Sequence, residues 1–210
     1  MNHFLLKSSP KVKVKICGLT QEEHIEFAVS MGTDSIGFVF VENSPRFIQL
    51  EDAKRLQLKI PNEITTVAVL QNPYTLDPFI GWNGLIQLCG NEDEHFVSHS
   101  PCPVIKSVQW ERNEVLRWDG ADNVAGILVD GSSGGLGKTF DVKELATLIP
   151  SMKTPVIIAG GLNAENVQKV IQLSQPFAVD VSSGVESSLG KKENKKIAEF
   201  ITSAKKALTK

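Results

Sequence analysis

The chain has 210 residues, 41% of them hydrophobic and 22% charged, with a formal net charge of −2. This is ordinary globular composition, and without a long basic stripe it argues against a nucleic-acid binder. Phe4, Leu5 and Leu6 form too short an apolar run for a secretory leader, and no stretch reaches the apolar length that spans a bilayer.

Residues 1–11 carry no clear pattern and are expected to be an N-terminal extension, with one domain over 12–210. VKVKIC (12–17) reads as a strand, its valines and isoleucine alternating with Lys13 and Lys15. Thr20 followed by Glu23 predicts a capping box opening a helix that buries Ile25, Ala28 and Val29 on one face. DSIGFVF (34–40) is a second strand, and Leu50, Ala53 and Leu56 recur at helical spacing after it. ITTVAVL (64–70) is a third. The helix expected within 74–82 is poorly marked, because Pro73, Pro78, Gly81 and Gly84 crowd it.

NGLIQLCG (83–90) is a fourth strand, followed by an acidic helix start, and PVIKSVQW (103–110) is a fifth. NVAGILVD (123–130) is a sixth, followed by a glycine-rich loop, after which Asp141 is expected to cap a helix burying Leu145, Leu148 and Ile149. TPVIIAGG (154–161) is a seventh strand, with Asn163 as the cap of the next helix, which carries Val167, Val170 and Ile171. PFAVDVSSG (176–184) is the eighth, and Ile197, Phe200, Ile201, Ala204 and Leu208 mark a last helix. The lysines of the tail (Lys191, Lys192, Lys195, Lys196, Lys205, Lys206, Lys210) alternate with apolar positions and read as a solvated helix face. Trp82 or Trp118, if exposed, would mark an interface between subunits.

Eight strand–helix units with near-continuous apolar strands fit a parallel sheet covered by helices. A single (β/α)₈ barrel is the economical closure, and an open doubly wound sheet is the alternative. Cys17, Cys89 and Cys102 stand at unrelated spacings with no Cys-x-x-Cys, which predicts neither a disulfide framework nor a zinc site and suits a reducing cytoplasm.

In a barrel, chemistry gathers at the carboxyl ends of the strands. Those ends are Cys17, the loop holding Arg46, Gln71, Cys89, Gln109, Asp130, Gly160–Gly161 and Ser182–Ser183–Gly184. AGGLN and VSSGVE place glycines at two successive strand ends before expected helix starts, where backbone N–H groups can turn toward a phosphate. Taken singly, Gly160–Gly161 is equally a tight turn, Asp130 a cap, Lys138 a solvated loop charge, Arg46 a surface arginine and Cys17 a structural thiol.

Together these segments resemble one family. KICGLT, GFVFVENSPR, IQLCG, VDGSSGGLGKTFD, IIAGGLNAENV and DVSSGVESSLGKK are similar, in order, to the segments of the phosphoribosylanthranilate isomerases of tryptophan biosynthesis, over about residues 12–202. The resemblance implies a single (β/α)₈ barrel without cofactor or metal. It implies an Amadori rearrangement of N-(5′-phosphoribosyl)anthranilate to 1-(2-carboxyphenylamino)-1-deoxyribulose 5-phosphate. It implies Cys17 as general base, Asp130 as general acid and Arg46 facing the anthranilate. Gly160, Gly161, Asp180, Ser183 and Gly184 are implied to hold the phosphorylated end. The implied partner is a small phosphorylated substrate, with no nucleic acid or membrane, and the chain is expected to be a monomer or homodimer.

The chemistry asks for such groups. Ring opening needs a proton on the furanose oxygen, and the next step removes the C2′ proton, for which a thiolate is a suitable base. The chain departs from the family pattern where Cys89 replaces a histidine, where Leu136 replaces a threonine, and where the third strand ends in AVLQN rather than FVN. Two other readings remain at this point: the related isomerase of histidine biosynthesis, whose first-strand base is an aspartate, and an inactive barrel that senses a ligand.

Overall fold

The computed structural model describes residues 12–131 and 142–207. Eight parallel strands close into one barrel in chain order: β1 (Lys13–Cys17), β2 (Ser35–Val39), β3 (Thr65–Leu70), β4 (Gly84–Leu88), β5 (Val104–Gln109), β6 (Val124–Asp130), β7 (Val156–Ala159) and β8 (Ala178–Val181). β8 pairs back onto β1, with Lys15 opposite Asp180 and Ile16 opposite Val181. The open doubly wound alternative is thereby excluded.

Side chains alternate across each strand. Outward residues such as Val14, Ile16, Phe38, Ile86, Ile127 and Ile158 join the apolar layer between strands and helices. Inward residues form a second cluster that fills the barrel, including Val67, Leu85, Ile105, Leu128, Ile157 and Ala178. Both faces are therefore dry, which is why these strands read as apolar runs.

The covering helices among the described residues are α1 (Glu22–Ser30), α2 (Leu50–Gln57), α3 (Glu94–Ser98), α4 (Arg112–Trp118), α5 (Val142–Leu148), α6 (Val167–Ser174) and α7 (Asn194–Lys206). α7 packs against α1 and α6, so the last helix closes the outer ring. α4 is not anticipated above; Glu111 caps it, its carboxylate accepting from the amides of Asn113 (3.1 Å) and Glu114 (2.8 Å). Between β3 and β4 the proline- and glycine-rich segment makes only a 3₁₀ turn, Asp77–Phe79.

Several local expectations are corrected. α1 begins at Glu22 after Gln21, with no side-chain cap, so the Thr20–Glu23 capping box does not form. α6 begins at Val167: the Asn163 side chain accepts from the amides of Glu165 (2.9 Å) and Asn166 (3.1 Å) and makes a separate turn first. The seventh and eighth strands stop earlier than expected. Gly160 and Gly161 have φ of 88° and 66°, and Ser183–Val185 is a 3₁₀ turn. After it comes a hairpin, β9 (Glu186–Ser188) with β10 (Lys191–Lys192), where a helix start and a solvated helix face are expected from the sequence.

Neither tryptophan is exposed: Trp82 packs edge-on against Phe38, Phe40 and Phe79, and Trp118 is fully buried with its Nε1 donating to Glu114. They mark no interface. The tail lysines are not all solvated either, since Lys192 is buried. The expected extension 1–11, Leu136, Lys138, the Asp141 cap and Leu208 lie outside the described residues. No helix among the described residues is long and apolar enough to cross a membrane.

Candidate active site

The site grows from the inward-facing residues of β1. Lys13, Lys15 and Cys17 share one face because a strand repeats every two residues. Lys13 pairs with Asp34 at 3.0 Å near the amino end of the barrel. Lys15, with no exposed surface, donates to Asp180 Oδ1 at 2.8 Å. Cys17 comes next along that face, where β1 gives way to a turn at Gly18, whose φ is 77°. Gly37 stands opposite Cys17 on β2. A Cβ at position 37 would lie 2.9 Å from Cys17 Sγ and 3.2 Å from Lys15 Nζ, so the absent side chain leaves room for thiol and ammonium to meet.

The electrostatics of this pair pull in opposite directions. Burial pushes the Cys17 thiol up, Lys15 draws it back down, and Asp180 pushes it up. Burial would lower Lys15, but Asp180 and Cys17 together hold it above its ordinary value, so it stays cationic.

Arg46, in the loop after β2, lies across the Cys17–Gly18 turn: a Cβ on Gly18 would meet its Cδ at 2.7 Å. Its guanidinium binds Glu186 through two bonds, Nε to Oε1 at 2.6 Å and Nη2 to Oε2 at 2.8 Å. Glu186 also accepts from Lys192 Nζ at 2.9 Å and from the Gly190 amide at 3.1 Å. Lys192 in turn donates to the Ser182 carbonyl at 2.9 Å, and the Ser182 hydroxyl donates to the Cys17 carbonyl at 3.1 Å. The β9–β10 hairpin thus ties Arg46 to the end of β8 and to the base of the Cys17 turn. It reaches the Arg46 loop through Gly190, where a Cβ would lie 2.5 Å from the Pro45 carbonyl.

Beside this network a cavity of ≈ 400 Å³ opens at the carboxyl ends of β3 to β8. Asp130, Gly160, Gly161, Asp180 and Ser183 wall it, together with Gln71, Gln87, Cys89, Ser107 and Gln109. Asp130 ends β6, held in register between Gln109 and Ala159. Gly184 stands behind Ser183, so close to the preceding loop that a Cβ would lie 1.9 Å from the Leu162 carbonyl. The two glycine loops therefore pack directly on one another.

The β4 end is fixed from outside the barrel. Buried Lys106 donates to the Gly90 carbonyl at 2.7 Å and to Glu92 at 2.6 Å, and Glu92 accepts from the amides of Asn72 (2.8 Å) and Gly90 (3.0 Å). Cys89, held there, accepts from Gln87 Nε2 at 3.2 Å, and burial pushes its thiol up to about 11, so it is protonated at neutral pH.

All eight residues singled out from the sequence gather at this one end: five wall the cavity, Gly184 braces it, and Cys17 and Arg46 stand at its β1–β2 side. Sequence reasoning missed Lys15, Glu186, Lys192 and Gln87. Lys15 had a signal, since it shares the face of Cys17 in a strand whose neighbours are all buried. Among the described residues, no group of three or more His, Cys, Asp or Glu side chains is placed to hold a metal.

Known proteins share this barrel and its sequence. The model of the N-(5′-phosphoribosyl)anthranilate isomerase family matches residues 14–203. An N-(5′-phosphoribosyl)anthranilate isomerase of Streptococcus mutans is 39% identical over 198 residues, covering 92% of this chain and 99% of the relative. The crystal structure of phosphoribosyl anthranilate isomerase from Thermotoga maritima superposes with a TM-score of 0.81 at 36% identity, covering 93% and 99% of the two chains. A crystal structure of such an isomerase in complex with reduced 1-(o-carboxyphenylamino)-1-deoxyribulose 5-phosphate gives 0.80 at 34%, with the same coverage.

Proposed function

The chain belongs to the N-(5′-phosphoribosyl)anthranilate isomerase family, and from that premise we propose how its own residues carry out the isomerisation in tryptophan biosynthesis. The substrate, N-(5′-phosphoribosyl)anthranilate, becomes 1-(2-carboxyphenylamino)-1-deoxyribulose 5-phosphate. Its phosphate sits at the backbone N–H groups of the Gly160–Gly161 and Ser183–Gly184 loops, where glycine lets the chain approach an anion closely. Its anthranilate faces Arg46, whose fork is held in place by Glu186.

Asp130 gives a proton to the furanose oxygen as the anilino nitrogen forms the C1′=N iminium and the ring C1′–O bond breaks. Cys17 thiolate then removes the C2′ proton, now acidified by the iminium, and leaves an enolamine. Return of the Cys17 proton to C1′ and of the C2′-hydroxyl proton to Asp130 completes the ketone and resets both groups. Lys15 is the counter-charge that draws the Cys17 thiol back toward ionisation against its burial, which leaves it raised overall. Asp180, by binding Lys15, holds that charge in place and walls the phosphorylated end of the cavity.

The observation that carries this reading is the convergence of a Lys15-paired thiol, Asp130 and two glycine loops on one barrel end. Cys17, Cys89 and Cys102 are free thiols, and a thiol base suits a reducing compartment, so we place the enzyme in the cytoplasm, acting as a monomer or homodimer. The test is the loss of phosphoribosylanthranilate fluorescence on adding purified protein, run beside the histidine-pathway substrate. Turnover of the first alone is expected. A folded protein that turns over neither is an inactive barrel, and preference for the second overturns the substrate assignment.

A further inference from the structure

β5 places an ammonium in the apolar layer outside the barrel. Ser107 and Gln109 wall the cavity, so Lys106 faces the other way, 5.4 Å over the Trp118 ring of α4. Glu92 meets it there, Nζ to Oε2 at 2.6 Å, with both side chains 3% exposed. Apolar residues of similar volume often serve a fold as well as such a pair, so stability alone is a weak reason to keep one. What the pair holds is more telling. Its remaining hydrogen bonds among the described residues all end on loop backbone after β3 and β4: Lys106 on the Gly90 carbonyl (2.7 Å), Glu92 on the amides of Asn72 (2.8 Å) and Gly90 (3.0 Å). Asn72 extends the hold, its Oδ1 accepting from the Asn91 amide at 2.7 Å. The two loops touch, since a Cβ at Gly90 would lie 2.1 Å from Asn72 Oδ1 and 2.7 Å from its amide nitrogen. Asn72 itself has φ of 47°, which few side chains adopt and which persists only where the surroundings impose it.

We propose that Lys106 and Glu92 are positioning residues for the isomerisation: their buried pair fixes the end of β3, Gln71–Asn72, as the wall against which the anthranilate end of the substrate packs. The assignment rests on the isomerase reading above. Neither member of the pair lines the cavity, but Gln71, next to the strained Asn72, is exposed and does. β3 neighbours β2, whose loop carries Arg46, and stands across the closed barrel from β7, which leads into the Gly160–Gly161 loop. The pair therefore acts on the end of the substrate away from the phosphate. A wall displaced by about an ångström lets the reacting carbons drift from the acid and the base, and such a misplacement costs about a hundredfold in rate even when the change lies far from the chemistry.

The test compares two double variants that both remove the buried charges. Lys106→Met/Glu92→Gln keeps an amide oxygen to accept from Asn72 and Gly90, whereas Lys106→Met/Glu92→Leu keeps no acceptor. Neither leaves a lone buried charge, so the two should melt within about 4 °C of each other. The glutamine variant is expected to keep most of the wild-type kcat/KM, and the leucine variant to lose about tenfold to a hundredfold. Competitive inhibition by inorganic phosphate, which probes the glycine loops, is expected to be the same in all three proteins. A pair that serves stability alone would shift Tm and leave the kinetics of folded protein untouched. Wild-type kcat/KM in the leucine variant, an equal loss in both variants, or a parallel loss of phosphate affinity overturns the assignment. If the leucine variant does not fold, Asn72→Gly reads the same joint, because glycine tolerates the φ but drops the bond to Asn91. It is expected to lose about tenfold in kcat/KM with phosphate inhibition kept, and wild-type kinetics there overturn the assignment equally. Absence of turnover by the wild type removes the isomerase reading itself, and this assignment with it.

Discussion

Lys15 and Asp180 face each other across the seam that closes the barrel, Nζ to Oδ1 at 2.8 Å, with the lysine fully enclosed. Burying an ammonium is costly unless a counter-charge meets it, and breaking such a pair is worse than never having built it. The pair therefore fixes a positive charge beside Cys17 that does not titrate near neutrality.

Lys15→Met should for that reason move the base limb of the kcat/KM pH profile to higher pH by about one unit or more, because the thiol loses its neighbouring cation while its burial remains. The same change strands Asp180 and should destabilise the fold by about 3–5 kcal/mol. Lys15→Met combined with Asp180→Asn should recover much of that stability without recovering the limb. A base limb that stays in place in both variants would separate Lys15 from the thiol.

Glu186 joins Arg46 to Lys192. Burial alone would raise its pKa, but hydrogen bonds from Arg46 and Lys192 outweigh it and bring the carboxyl to about 2, from an ordinary 4.5. Burial outweighs the pairing for Lys192, which is shifted down, whereas Arg46 is shifted up by its bonds to Glu186. A folded-state value below the unfolded one stabilises fully above about pH 4.5, and the contribution is lost as pH falls toward 2. Glu186→Gln should therefore be less stable than wild type at neutral pH and flatter across that acid window in a urea-unfolding series. It should also raise KM, since Arg46 loses its bidentate anchor. An unchanged acid slope would mean the carboxylate is not held as described.

The two glycine loops should fail for different reasons. Gly184→Ala puts a Cβ 1.9 Å from the Leu162 carbonyl, backbone against side chain with nothing flexible to yield, so the loops must part. Both stability and phosphate affinity should fall. A side chain at Gly161 meets open space, but φ of 66° strains it by about 1–2 kcal/mol. Gly161→Ala should cost that stability, and Gly161→Val should raise KM further by blocking the phosphate. Competitive inhibition by inorganic phosphate reads the loops directly; an unaltered inhibition constant in Gly184→Ala and Gly161→Val would remove phosphate from them.

How far the sequence carries depends on what kind of partner a residue has. The barrel was legible because strands buried on both faces read as apolar runs, and Cys17, Asp130 and the glycine loops were legible because they end such runs. Lys15 was not, because its partner lies 165 residues away and only the β1–β8 register brings the two together. Lys192 reads as a solvated lysine for a different reason: its partner is near in sequence, but a two-residue strand, too short to show a period, turns it inward onto Glu186. The burial of Trp82 is not legible in the sequence, because the aromatics that cover it come from β2, its following loop and the 3₁₀ turn. The onset of α6 was misplaced because an asparagine side chain that caps a helix equally well makes a turn before one.

The proposed proton-transfer pair, Cys17 and Asp130, gives the most direct test of the proposed mechanism. Cys17→Ala and Asp130→Asn should each lower kcat by about 10²–10⁴-fold with little change in KM, since each group acts mainly in the transition state. The structure refines what replacements of Cys17 should do. An aspartate there would stand beside Lys15, in the notch left by Gly37, and be held ionised at neutral pH. Cys17→Asp should thus retain more activity than Cys17→Ala and should lose the thiol-like limb of the pH profile. Cys17→Ser should be nearly as poor as alanine, because Lys15 cannot ionise a hydroxyl at neutral pH. Asp180 limits the gain, since a second carboxylate in the same enclosure repels the first. Cys17→Asp/Asp180→Asn should therefore bind Lys15 through the new carboxylate and show a weaker base. Steady-state kinetics on folded variants decide the matter: near wild-type turnover by Cys17→Ala would show that the C2′ proton leaves to another group.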